Sequence, residues 1–149
     1  MATSEHAIQA AYFDWARMHP EARRAYAIPN AAKRSPRLAV YMKREGLRKG
    51  VLDIHLPIPR GGCAGLWIEM KAGNNNLTPE QQVEAEQLAK DGYAVFACWG
   101  AIVAIELTCQ YLDGKLQPGF TSLKPVPVKR VAAKSKRLRD PSPHDADPE

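Results

Sequence analysis

The chain has 149 residues, enough for one domain with a real core and too few for two of ordinary size. Its formal net charge of +5 favours an anionic partner, with nucleic acid the natural candidate. The 3 cysteines lack C-x-x-C spacing and the 4 histidines show no paired spacing, which argues against a disulfide framework or a zinc site, and no apolar run resembles a membrane span or a signal peptide. A soluble, cytoplasmic protein with reduced thiols is the expectation.

The first element reads as a helix from Ser4 to His19, capped by Thr3 or Ser4, with Ile8, Tyr12 and Trp15 at helical spacing. Glu5 stands three residues before Ile8 and so falls on the same inward stripe. It either favours the helix N-terminus through the dipole or supplies a further carboxylate to a metal site. A short strand near Tyr26 to Ile28 leads into PNAAKRSPR, where Pro29 and Asn30 mark a loop. Ser35 caps and Pro36 starts a second helix, which carries Arg37, Lys43 and Arg44 and ends at Gly46. Lys33, Arg34, Arg48 and Lys49 add to a basic first third suited to phosphate contacts.

Two apolar runs follow, GVLDIHLPI and GLWIEMKAG. Strand alternation puts Trp67, Glu69 and Lys71 on one face and Leu66, Ile68 and Met70 on the other. If the first run pairs antiparallel with the second through PRGGCAG, Asp53 reaches the same surface as Glu69 and Lys71. Two carboxylates can hold a divalent cation, and an ammonium can orient or help deprotonate a water for attack on phosphorus. Glu-x-Lys is also common on exposed sheets as a weak ion pair, but a run this apolar reads as a central strand, where a lone charge is costly.

The stretch AGNNN reads as a mobile polar turn. Thr78-Pro79-Glu80-Gln81 then opens a helix as a capping box, which gives Gln81 a structural task of its own. Lys90-Asp91-Gly92 ends that helix, Tyr93 to Cys98 reads as a strand, and Ile102 to Leu112 as a helix. From about Leu123 the composition turns to Pro, Lys, Arg and then Asp, so residues 1–122 are expected to form the domain and 123–149 a disordered tail, basic and then acidic. Its basic part would bind nucleic acid weakly or simply aid solubility.

Taken together, IPNAAKRSPR, EGLRKGVLDIHLPIPRGG, GLWIEMKAG and LTPEQ resemble the virus-type replication-repair nuclease domain, VRR-NUC, of the PD-(D/E)XK nuclease superfamily, over about Glu5 to Gly114. The resemblance implies an α/β fold, with a mixed central sheet flanked by helices, and metal-dependent hydrolysis of DNA phosphodiester bonds. It makes Asp53, Glu69 and the Met70 carbonyl the ligands of Mg2+, or of Mn2+ in its place, and Lys71 the group near the attacking water. Glu5 and Gln81 match outer positions of the site, while Asn30, Lys33, Arg34, Ser35, Arg37 and Lys49 fall where DNA would be gripped. Leu52 replaces the proline of the superfamily name, and Ala31 and Ala32 stand where glycines are usual in the loop. Similarity to standalone, commonly viral, members implies a homodimer acting on branched DNA such as four-way junctions, with no membrane and no organic cofactor. The rival expectations are a noncatalytic DNA-binding module, a nuclease with flap or sequence preference, and an interaction domain whose charged cluster is only an ion-pair network.

Overall fold

A computed structural model describes residues 3–29 and 35–127. Along the chain run α1 (Glu5–Ala16), a 3-10 turn (Ala22–Arg24), β1 (Tyr26–Ala27), α2 (Pro36–Arg44), β2 (Ile54–Leu56), β3 (Leu66–Met70), α3 (Pro79–Lys90), β4 (Ala94–Cys98), α4 (Ala101–Leu112) and β5 (Gly119–Leu123). The strands form one five-stranded sheet in the order β1-β2-β3-β4-β5. β1, β2 and β3 pair antiparallel, with Ile54 opposite Ile68, and β3, β4 and β5 pair parallel. Each parallel step needs a crossover, which α3 and α4 supply.

Alternation along β3 sorts the two layers as its sequence implies. Leu66, Ile68 and Met70 join Ile8, Tyr12 and Ala16 of α1 and Ala104, Leu107 and Tyr111 of α4 in the larger core. On the opposite face Trp67 packs with Leu52, Val95 and Ala85 under α3. The α1–α4 contact also carries a buried polar link, Tyr12 Oη to Thr108 Oγ1 at 3.0 Å, while Thr108 donates to the Ala104 carbonyl. Pairing of β2 with β3 is reinforced by the His55 and Trp67 rings, stacked at 4.1 Å and 12°. Tyr26 of β1 joins them through a 2.6 Å bond between its hydroxyl and His55 Nδ1.

Helix starts follow the caps read from the chain. Ser4 accepts from Ala7, Ser35 from Leu38, and Thr78 with Gln81 forms the full capping box. Three expectations need correction. The first run yields a shorter strand that begins at Ile54, because at Asp53 the chain bends and its side chain takes over from the backbone ladder. Gly119–Leu123 forms a fifth strand, so ordered structure reaches Leu123; this edge strand is half polar, with Thr121 and Ser122 exposed, and so lacks a clear apolar signal. The AGNNN turn is tied down at several atoms, as described below. Residues 128–149, most of the expected tail, lie outside the described residues, as do Asn30, Lys33 and Arg34.

The loop before β2 is held against α3 by a close approach that only glycine permits. A Cβ on Gly50 would sit 2.8 Å from the backbone and Cβ of Glu80, and the residue has φ of 87°. Gly50→Ala therefore meets both a clash and a strained backbone. We expect it to destabilise the fold by about 2 kcal/mol in chemical denaturation. The same substitution at Gly46, where nothing lies within 4 Å, should cost less, since only its φ of 102° is strained.

Candidate active site

β2 and β3 part at Asp53 and Glu69, the positions that would be the next register pair. On the β1 side the strand stays paired, since the Asp53 carbonyl accepts the Ile28 N–H at 2.8 Å. On the β3 side the carboxylates replace the ladder. Met70 N–H donates to Asp53 Oδ2 at 2.8 Å, and Asp53 N–H donates to Glu69 Oε2 at 3.2 Å. Each acid is thus fixed by the other's strand, and the two face each other across the fork.

Two further groups close on Glu69. Gln81 Nε2 donates to Glu69 Oε1 at 2.8 Å, and Lys71 Nζ lies 3.5 Å from the same oxygen. Gln81 Oε1 meanwhile accepts from Thr78 N–H at 3.0 Å, so one amide completes the helix cap and holds the acid. Gln81 thus fills its capping role and also contacts Glu69. Lys71 is anchored by its own N–H, which donates to the Cys98 carbonyl at 2.9 Å and continues the β3–β4 ladder. Glu69 and Lys71 are only 2% and 6% exposed, so this is no solvated ion pair.

Glu5, on the first turn of α1, lies near enough for its charge to help raise the Asp53 pKa. Its position is set from an unexpected side. Asn75 Nδ2 donates to Glu5 Oε1 at 3.0 Å, and the Asn75 carbonyl accepts from Trp99 Nε1 at 3.1 Å. Lys124 pairs with Asn76 and lies 5.9 Å from the centre of the Trp99 ring. The AGNNN segment is thereby pinned to α1 and to the turn after β4. Nothing in the sequence marks Asn75 or Trp99, because their partners are 70 and 24 residues away along the chain.

Of the basic residues, Lys49 lines a cleft of about 280 Å³ together with Gln81 and Thr78. Arg37 is exposed on α2, and Ser35 uses its oxygen as the α2 cap. Arg48 is engaged elsewhere, in a two-pronged pair with Glu84 at 2.8 and 3.0 Å. A second cleft, of about 730 Å³, runs along α1 from Glu5 and Asp53 towards Arg17.

Burial and the neighbouring Asp53 charge push the Glu69 carboxyl up to about 8, against the opposing pull of Lys71. Burial also raises Asp53, with the Met70 N–H pulling the other way. A raised carboxyl binds its proton more tightly in the folded protein, so its stabilising contribution is complete below the ordinary value of 4.5 and is lost as pH rises from there through about 8. Metal-free protein in EDTA should therefore lose stability between pH 5 and pH 8, as read by denaturant midpoints. In Glu69→Gln most of that slope should vanish; an unchanged slope would show that Glu69 does not titrate in this window.

Comparison with known proteins gives the family. The family model for the VRR-NUC domain matches residues 1–101. Among solved structures, a VRR_NUC domain protein superposes with a TM-score of 0.66 at 28% identity, over 81% of this chain and 95% of its own. No curated protein matches. The family match covers both strands of the fork, α1 and α3, and the structural neighbour shares the mixed sheet with its flanking helices, so the chain belongs to the VRR-NUC domain family of nuclease-related proteins.

Proposed function

We propose that the protein is a divalent-metal-dependent DNA endonuclease that hydrolyses phosphodiester bonds, with branched DNA as its preferred substrate. The observation that carries this reading is the fork itself, where Asp53 and Glu69 are held face to face, largely out of solvent, with Lys71 and Gln81 on one oxygen of Glu69. A buried and a half-buried acid, both with raised pKa values, form a site short of positive charge. Among the described residues no three His, Cys, Asp or Glu side chains form a metal-holding group. That donor set fits Mg2+, which binds through one or two carboxylates and fills its shell with water and phosphate oxygens, and Mn2+ could substitute.

Asp53, Glu69 and the Met70 carbonyl would hold the cation, which supplies a Lewis acid that activates water and offsets charge on the phosphate. The remaining work falls to the chain. Lys71, fixed through its backbone to β4, orients the water for in-line attack and shields negative charge as it grows on the phosphate oxygens. Gln81 keeps Glu69 turned towards Asp53, and Glu5 adds a carboxylate at the edge of the site. Lys49 and Arg37, with Asn30, Lys33, Arg34 and Ser35 in and beside the loop, would bind the DNA backbone.

Asp53→Asn and Glu69→Gln should each abolish Mg2+-dependent cleavage of labelled DNA while the variants remain folded and bind DNA. Lys71→Ala should lower the single-turnover rate by at least about 100-fold, the scale of a positioned electrostatic or proton-transfer group. EDTA should stop the wild-type reaction. A noncatalytic binder would instead bind DNA and cut none of the substrates with any divalent cation.

The proposal includes a homodimer. α2 has no buried residue and exposes Leu38, Val40 and Tyr41, at 46%, 62% and 62%. Leu38 and Tyr41, three residues apart, share one side of the helix; exposed apolar surface of this kind gains from a second copy, and a symmetric pair would set two sites at a fixed spacing on a branched substrate. Light scattering should give twice the mass of the chain, and a four-way junction should be cut faster than its linear duplex arms at matched salt. A monomer that cuts both equally would remove the dimer and the branch preference together.

A further inference from the structure

The catalytic cluster borders a third cleft, of about 520 Å³, in which Lys71 itself forms part of the wall. Ala7 and Ala11 of α1, Gly73 after β3, and Trp99 and Gly100 after β4 also line it. β3 and β4 run parallel, so both carboxyl ends open here, the place where open α/β sheets receive their ligands. Most of the lining is methyl groups or bare backbone. Trp99 is the one large ring among these six, and it is held in place: its indole N–H is bound to the Asn75 carbonyl and the Lys124 ammonium stands 5.9 Å from its centre.

A slot with small walls and one fixed indole suits a flat aromatic body, and Lys71 in its wall, with Lys124 beside the indole, suits one that carries phosphate. We infer that this cleft receives a single unpaired base of the cleaved strand, stacked on Trp99, from the nucleotide next to the phosphate at Asp53, Glu69 and Lys71. The inference rests on the nuclease reading and refines it. A paired base must first be extruded from its stack, whereas a base at a branch or flap is already free. Aromatic stacking of a single base tolerates any sequence, so the cleft selects strand structure and leaves sequence unread. Branch preference then has a source within each subunit, independent of dimer spacing.

The test uses splayed-arm DNA with 2-aminopurine placed in turn at each nucleotide around the branch, titrated with full-length Glu69→Gln, which should bind without cutting. Stacking on Trp99 should quench one position several-fold and leave the others little changed. Adding Trp99→Leu should remove that quench, and adding Trp99→Phe should restore most of it. Ala11→Phe, at an exposed position of α1, narrows the cleft while leaving Trp99 itself in place and should weaken splayed-arm binding about tenfold while leaving blunt duplex unchanged. No position-specific quench, or one that survives both Trp99→Leu and Ala11→Phe, would overturn the inference. Cleavage by the wild type with Mg2+ is scored separately. A protein that cuts without the quench loses only the base cleft, and one that shows the quench without cutting loses only the nuclease reading.

Discussion

Glu69 is an acid with 2% of its surface exposed, placed against a second acid, and much of the surrounding structure offsets that cost. An isolated buried carboxylate loses several kcal/mol of hydration, about what a small domain can least spare, unless hydrogen bonds and opposite charge replace it. Here the replacements come from three directions. Asp53 gives a backbone N–H, Gln81 an amide and Lys71 an ammonium, and what they leave uncompensated raises the carboxyl's pKa. They stand on the start of β2, on α3 and on the end of β3 where it is bonded to β4, so these elements act together on Glu69.

The same demand explains why the sheet opens where it does. An uninterrupted β2–β3 ladder would spend the Met70 N–H on backbone; parting the strands gives it to the Asp53 carboxylate. Leu52 and Trp67 pack on the α3 face just beside the fork, and Ile54 and Ile68 fill the α1 face, so the opening stays local. The capping box of α3 adds a second economy, because Gln81 satisfies Thr78 and Glu69 with the two ends of one amide.

Much of this was legible in the chain. Alternation along LWIEM placed Glu69 and Lys71 on one face, the antiparallel partner brought Asp53 to them, and spacing from Ile8 turned Glu5 inward. Caps at Ser4, Ser35 and Thr78 fixed helix starts, because a side-chain oxygen and the N–H groups it meets are only a few residues apart. What escaped was non-local. Asn75 in an NNN turn reads as a flexible polar residue until Glu5 and Trp99 are seen beside it. The β5 strand escaped for a similar reason: Gly119–Leu123 is a strand because β4 offers it an edge, and its own residues carry little pattern. The family resemblance added the nuclease assignment, which alternation alone could not supply.

In the proposed function, a divalent cation at the fork takes the place of a proton. Titration calorimetry of Mg2+ or Mn2+ into the wild-type protein at pH 7, repeated in buffers of different ionisation enthalpy, measures both binding and the protons released with it. With Glu69 raised to about 8, binding at that pH should release most of one proton, and Glu69→Gln should abolish the release along with tight binding. Tight binding with no proton released, or undiminished binding in Glu69→Gln, would contradict the account.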